Sequence, residues 1–243
     1  MNQESLTRVY EEMEPGYYDR VFHRGRGVQW FWQRHRLRLA RESLPAEPKR
    51  IIDLGCGPGT FLGNFVNGRS YALGVDFAEP QIEYARSHYG RPGLDFRKAD
   101  VIGFEHELPF DSAVSIELIE HLPRDRTRAF LETLRRLLEP GGTLVLVTPN
   151  YASAWPITER LVSRFGAVDY VAQHINRFTR DRLIAETVDA GFLVESCRTF
   201  FVVAPFLAAA SPYVAERLLA VEDSFLPGIG SELLLVARRP WGS

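Results

Sequence analysis

Residues 50–60 read RIIDLGCGPGT, and this stretch decides the fold. A short apolar run ends in an acidic residue, Asp53, and passes straight into a turn carrying Gly55, Gly57 and Gly59. A β run followed by so glycine-dense a turn is how an open α/β sheet builds a backbone-lined pocket at the carboxyl edge of its first strand. The turn alone predicts a nucleotide-like ligand. Its companions downstream narrow the ligand further.

Working outward, strand signals recur near 71–76, 94–99, 112–117 and 143–148, with helical periodicity near 60–66, 79–88 and 124–138. In the last of these Phe130, Leu134, Leu137 and Leu138 share one side, opposite Arg and Glu. Strand–helix alternation at this spacing predicts a parallel sheet with helices on both faces. Glu139-Pro140-Gly141-Gly142 reads as a helix stop before the strand TLVLVT. Beyond Asn150 the pattern loosens into a helix at 153–165, a loop through VDYVAQHINRFT, and a helix at 179–190 entered at Thr179 and closed by Gly191. Strands near 192–203 and 231–238 complete the sheet, separated by an apolar insertion at about 204–230.

Residues 1–45 read as an N-terminal helical cap, joined to the main domain, 46–243, by a linker with Pro45 and Pro48. Val28, Phe31, Trp32, His35 and Leu39 fall on one helical face, with most of Arg34, Arg36, Arg38 and Arg41 elsewhere. Upstream lies an aromatic break, Pro15-Gly16-Tyr17-Tyr18-Asp19. The cap is either a lid over the pocket or simple packing on the sheet.

Composition bounds the partners. With 45% hydrophobic and 25% charged residues, the chain reads as an ordinary globular protein of one decorated α/β domain. A net charge of -2 gives no bulk attraction to nucleic acid. Cys56 and Cys197, far apart, suit a reducing compartment, and the N-terminus lacks an apolar signal core, so a cytoplasmic location is expected. The uncharged run from Thr199 to Ala215 is shorter than the roughly 20 residues of a membrane span and is broken by Pro205 and Pro212.

Three aspartates fall at successive strand ends: Asp53, Asp76 in ALGVD, and Asp100 in FRKAD. A parallel sheet brings such ends to one rim, so they should face one ligand. Asp76 stands 23 residues after Asp53, a distance at which a carboxylate accepts hydrogen bonds from a ribose diol. Asp100 suits an adenine amino group, with Phe77 or Ile102 packing on the ring. A dinucleotide is disfavoured because Thr60 stands where a third glycine belongs and Asp53 would repel a pyrophosphate. A ligand with an amino group and a sulfonium cation would welcome these carboxylates.

DLGCGPGTF, GVD, KAD and EPGGTLVLVTPN together resemble the successive motifs of class I S-adenosylmethionine-dependent methyltransferases, over about residues 50–203. The resemblance implies a Rossmann-like seven-stranded sheet, mostly parallel with the last strand antiparallel. It also implies Gly55 to Gly59 beneath the methionine moiety, Asp76 on the ribose, Asp100 near the adenine and Phe77 stacked on it. The cofactor set is read as Asp53, Gly55, Cys56, Gly57, Gly59, Asp76, Phe77, Asp100, Val101 and Glu117, with Tyr18 and Arg36 reaching in from the cap.

A second constellation, SIELIEHL at Ser115 to Leu122, leaves the fourth strand at the rim where a methyl acceptor would lie. Glu117, Glu120 and His121 can converge on one cation if the strand ends in a helical turn, with His174 as a fourth ligand. Such oxygen and nitrogen donors suit Mg, Mn or Zn. The arrangement is similar to two methyltransferase groups: small-RNA 3'-terminal 2'-O-methyltransferases of the HEN type, and polyprenyl-catechol O-methyltransferases of ubiquinone biosynthesis. Without a metal, His121 or His174 would be the general base, with Glu117 beside them, or positioning alone would suffice.

The expected activity is O-methylation of a small or lipophilic acceptor, such as a catechol, glycoside, polyketide or lipid, with S-adenosylhomocysteine as product. RNA is the alternative acceptor, with Arg20, Arg24, Arg26 and the 34–41 helix as a basic track and Tyr17, Tyr18, Trp30 and Trp32 as stacking surfaces. A non-catalytic, cofactor-binding regulator is the remaining alternative. The apolar insertion is read as core packing, a membrane-surface contact or a homodimer contact.

Overall fold

The computed structural model describes residues 13–68, 70–165, 170–225 and 228–242. Residues 1–12 of the cap, 69, 166–169 at the start of the expected loop, 226–227 of the insertion and 243 lie outside them.

Seven strands form one sheet: β1 (Arg50–Leu54), β2 (Tyr71–Asp76), β3 (Leu94–Lys98), β4 (Phe110–Ile116), β5 (Leu138–Pro149), β6 (Leu193–Phe200) and β7 (Glu232–Arg238). Their order is β3-β2-β1-β4-β5-β7-β6. The pairs from β3 through β5 are parallel, and β7 runs antiparallel between β5 and β6. The strand order reverses between β1 and β4, which opens a crevice beyond their carboxyl ends. RIIDLGCGPGT enters that crevice.

Alternation along each strand feeds two cores. Ile51, Val145 and Val147 point to one face with Phe31, Phe61 and Phe200, whereas Ile52, Leu144 and Leu146 point to the other with Phe130, Leu134 and Phe178. Sheets buried on both faces read as near-continuous apolar runs, as TLVLV does here. The second face is covered by α5 (Arg124–Leu137) and α8 (Arg180–Asp189). Thr179 caps α8 through its side chain, which accepts from the Arg182 amide.

The first face carries α3 (Thr60–Phe65), α4 (Glu79–Tyr89) and the cap, whose helices are α1 (Tyr17–His23) and α2 (Val28–Glu42). The insertion folds as α9 (Ala204–Leu207) and α10 (Pro212–Phe225), seating Ala204, Ala208, Ala215 and Leu219 in the same core. The carboxylate of Glu222 accepts from the amides of Val202, Val203 and Ala204, which satisfies the orphan donors at the start of α9. Its outer side leaves Val203, Phe206, Tyr213, Val214 and Val221 exposed. Among the described residues no helix is long and apolar enough to cross a membrane.

Four local expectations are corrected. The helix does stop just before EPGG, at Leu137, but the segment belongs to the strand: β5 already begins at Leu138, opposite Phe110, and bulges before Thr143. The bulge holds because Gly141 donates to Arg239 and Arg239 donates back to Gly142. The 168–179 stretch is not all loop, since α7 (Tyr170–Gln173) forms a helical turn that follows α6 (Trp155–Phe165). Trp30 and Trp32 are buried rather than presented on the exterior as stacking surfaces, with Trp32 lining the cavity and packed on Trp155, Phe201 and Phe206. Arg36 likewise turns inward, which thins the expected basic track.

Candidate active site

A cavity of about 550 Å³ opens at the carboxyl ends of β1, β2 and β4. Its floor is the glycine turn. Gly55 and Gly59 adopt φ of 83° and 78°, and a Cβ would lie 2.8 Å from Leu118 at the first and 2.7 Å from Phe96 at the second. Only glycine meets both demands, backbone and space. Gly55, Cys56 and Gly57 line the cavity, while Gly59 sits behind the lining as the N-cap of α3.

Asp76 organises this turn. Its carboxylate accepts from the Gly57 amide and from the Ala78 amide, each at 2.9 Å. Burial pushes its pKa up, and these amides pull it back. Asp53 lies alongside with Oδ1 lacking any hydrogen-bond partner among the described residues. Burial, and then the neighbouring Asp76 charge, raise Asp53 to about 8. Burial also holds the Cys56 thiol well above its ordinary range, which makes it a packing residue rather than a nucleophile. Two buried carboxyl groups, one with an unpartnered oxygen, suit a ligand that brings cationic donors.

Phe77, Asp100 and Val101 line the same cavity from the ends of β2 and β3. The Asp100 carboxylate is half exposed and lies 3.0 Å from Arg126 of α5. Tyr18 of α1 and Arg36 of α2 line it from the cap, and Phe206 does so from the insertion. Every residue assigned to the cofactor thus reaches the cavity wall except Gly59, which shapes the turn from behind.

The E-x-x-E-H motif divides in two. Glu117 adopts φ of 55°, the left-handed region, which a non-glycine residue keeps only where its surroundings over-determine it. Its amide donates to the Val147 carbonyl at 2.9 Å, and its carboxylate lies 3.2 Å from the Arg36 guanidinium. Burial raises the Glu117 pKa well above the usual range, Arg36 opposes the shift, and Glu232 and Glu120 add to it. Arg36 also binds Glu232 through Nε, at 2.9 and 3.0 Å, and Trp32 Nε1 donates to the same carboxylate.

Glu120 and His121 occupy a 3-10 turn (Ile119–His121). Glu120, His121 and His174 each offer one ligand atom, and these atoms lie within 4.8 Å of one another. Glu117 is not in that group; in this structure it is turned to Arg36. Glu120 is fully buried, with Oε2 accepting from Thr148 Oγ1 at 2.8 Å and Oε1 without a hydrogen-bond partner among the described residues. Burial raises its pKa, against the pull of His174 and Thr148. His121 Nδ1 lies 3.1 Å from the Gln173 carbonyl, and its Nε2 lies 3.7 Å from Glu120 Oε1. Burial, and then the neighbouring His174 imidazole, push His121 down to about 3, despite that carbonyl. His121 and His174 line the cavity, so the cluster stands at its wall.

Two buried carboxylates escaped sequence reading. Glu232 heads an otherwise apolar strand, ELLLVA, which is a legible signal for an inward charge. Glu159 lies one helical turn after Trp155 on the buried side of α6, a position with no sequence signal of its own. Burial would raise Glu159, but hydrogen bonds from His174 and Tyr151 outweigh it and hold the carboxyl below its ordinary range.

The fold and the pocket define a class I S-adenosylmethionine-dependent methyltransferase, and the chain belongs to the methyltransferase-domain family, which matches residues 24–196. The ubiquinone biosynthesis O-methyltransferase of Maricaulis maris is 35% identical over 113 residues, 45% of this chain and 44% of that protein. Its counterpart in Paracidovorax citrulli is 27% identical over 161 residues, 64% and 63% of the two chains. The chain thus spans about half the length of the curated relatives it matches. In fold it is similar to a SAM-dependent methyltransferase of Thermotoga maritima, with a TM-score of 0.67 and 20% identity over 96% of this chain and 99% of that one.

Proposed function

We propose that this protein transfers a methyl group from S-adenosylmethionine to a hydroxyl of a small or lipophilic acceptor. The observation that carries the reading is the Glu120–His121–His174 cluster, whose two imidazoles line the same cavity as the aspartate-flanked turn. The likeness to ubiquinone biosynthesis O-methyltransferases supports oxygen as the acceptor atom.

Bound S-adenosylmethionine supplies a methyl group already activated on a sulfonium, so the protein's task is mainly positioning. Asp76 and Asp53 hold the cationic and hydroxyl groups of the ligand, and Phe77 and Val101 pack against its base. Arg36, directed by Glu117 and Glu232, offers the guanidinium at the cavity wall that suits a carboxylate. Phe206, lining the cavity yet 43% exposed, gives an apolar acceptor a continuous path to the insertion's outer side.

The cluster also fits a divalent cation. One carboxylate and two imidazoles are a donor set of three with room for an acceptor oxygen, and the unpartnered Glu120 Oε1 is the atom such an ion would satisfy. Bound there, Zn or Mn would lower the pKa of an acceptor hydroxyl. Glu120, His121 and His174 would hold it, with Glu117 available only if it leaves Arg36.

The test is transfer from labelled S-adenosylmethionine to catechols, glycosides, lipids and short RNAs, before and after EDTA. Transfer to a small hydroxylic acceptor, lost on chelation and restored by Mn or Zn, is expected. Transfer to RNA alone, or to nitrogen, overturns the acceptor assignment, and full activity after chelation overturns the metal.

A further inference from the structure

His174 sits in a hydrogen-bonded chain that the methyl-transfer reading alone does not require. Its Nδ1 lies 2.6 Å from Glu159 Oε1, with His174 at 3% and Glu159 at 3% exposure. Tyr151 Oη donates to the same Glu159 oxygen at 2.5 Å and lies 3.1 Å from His174 Nδ1. Trp155, from the same helix as Glu159, stacks over the imidazole with ring centroids 6.2 Å apart.

From these contacts we infer that Glu159 is a positioning residue that sets His174 as its Nδ1–H tautomer, making Nε2 the electron-pair donor of the Glu120–His121–His174 cluster. An ionised carboxylate only accepts hydrogen bonds, so the 2.6 Å contact places the proton on Nδ1. The neighbouring ring obeys the same logic. A backbone carbonyl also only accepts, so the Gln173 oxygen places the proton of His121 on Nδ1 and its electron pair on Nε2, the atom facing Glu120. Gln173 and His174 are consecutive, so one short segment orients the first imidazole and supplies the second.

A carboxylate behind one imidazole and a carbonyl behind the other are the outer-shell partners that orient ligating histidines and raise their basicity. Tyr151 adds a second donor to Glu159 and keeps its carboxylate aimed at the ring. The structural alternative, that Glu159 simply neutralises a buried imidazolium, predicts a proton on both ring nitrogens. The two cases are therefore separable by observation.

The inference rests on the proposed role of the cluster, and its test has two readouts that fail separately. The first is the ¹⁵N spectrum of His174 in the metal-free protein at pH 8, for wild type, Glu159→Gln and Glu159→Leu, with circular dichroism to establish that each variant is folded. An Nδ1–H ring in wild type, turning to a mixed or Nε2–H ring in Glu159→Leu, is expected. A doubly protonated ring in wild type, or an unchanged tautomer in the folded Leu variant, overturns the inference. The second is calorimetric titration with Mn or Zn alone, where the Leu variant should bind on the order of 10–100-fold more weakly. Equal affinity in the two proteins overturns the inference. Absence of binding to wild type overturns the metal reading, and the tautomer then decides the role of Glu159.

Discussion

Arg36 of the cap lies 3.2 Å from Glu117 at the end of β4 and holds Glu232 at the head of β7 with the same guanidinium. A helix that precedes the sheet in sequence is thereby tied to the ends of β4 and β7, two strands apart in the sheet. Glu232 is fully buried and Arg36 nearly so, so the pair is screened little by solvent. The cap is part of the site's electrostatics, whether or not it also moves.

Replacing Arg36 by Met should therefore be costly. It strands two buried carboxylates, and breaking a buried pair on one side typically costs about 3–5 kcal/mol. Denaturant unfolding of Arg36→Met measures this directly. A loss within about 1 kcal/mol would show that the carboxylates relax by taking up protons.

Asp76 should be more damaging to ligand binding as Ala than as Asn. Its two oxygens hold the Gly57 and Ala78 amides, so Asp76→Ala loosens the turn as well as removing the proposed ribose partner. Calorimetry with S-adenosylmethionine should show at least about a hundredfold loss for Ala, about 3 kcal/mol, and a smaller loss for Asn. Unchanged affinity in either variant removes Asp76 from the ligand site.

Asp53 predicts a pH-dependent affinity. With its pKa raised to about 8, the group is mostly protonated at pH 7, and a cationic ligand binds the ionised form. The bound pKa lies lower, so binding releases a proton, and affinity should rise with pH by up to tenfold per unit until about 8. The ratio of wild-type to Asp53→Asn affinity, measured at pH 6, 7 and 8, isolates the effect from titration of the ligand itself. A ratio independent of pH contradicts the proton linkage.

His35 should make stability fall in mild acid. It is fully buried against Phe31, 3.7 Å from Glu216, and burial followed by Arg38 and Arg34 lowers its pKa to about 4. The unfolded chain, with a pKa of about 6.5, binds the proton first, so this contribution is intact above pH 6.5 and drains away as pH falls towards 4. The loss amounts to at most roughly 3 kcal/mol. Urea unfolding of wild type and His35→Leu across pH 4–7.5 should show a shallower curve in the variant; parallel curves would remove His35 as the cause.

How much was legible follows from the range of each interaction. RIIDLGCGPGT, GVD and KAD are local patterns, and a parallel sheet brings strand ends to one rim without further information, so the gathering of Asp53, Asp76 and Asp100 on one cavity could be read from the sequence. Period-two alternation likewise divides Ile51 from Ile52 and Val145 from Leu146 before any packing is known. The E-x-x-E-H motif was legible as a chemical group but not as a geometry, because the left-handed turn at Glu117 parts it from Glu120 and His121.

Sequence by itself determined the sheet, the glycine turn and its aspartates, because these depend on neighbours a few residues away and on the stereochemistry of strand–helix alternation. Tertiary structure alone decided the rest. Arg36 meets Glu232 across 196 positions, and Glu159 meets His174 across 15. A buried charge must find its partner wherever the fold provides one, and no local spacing records that choice.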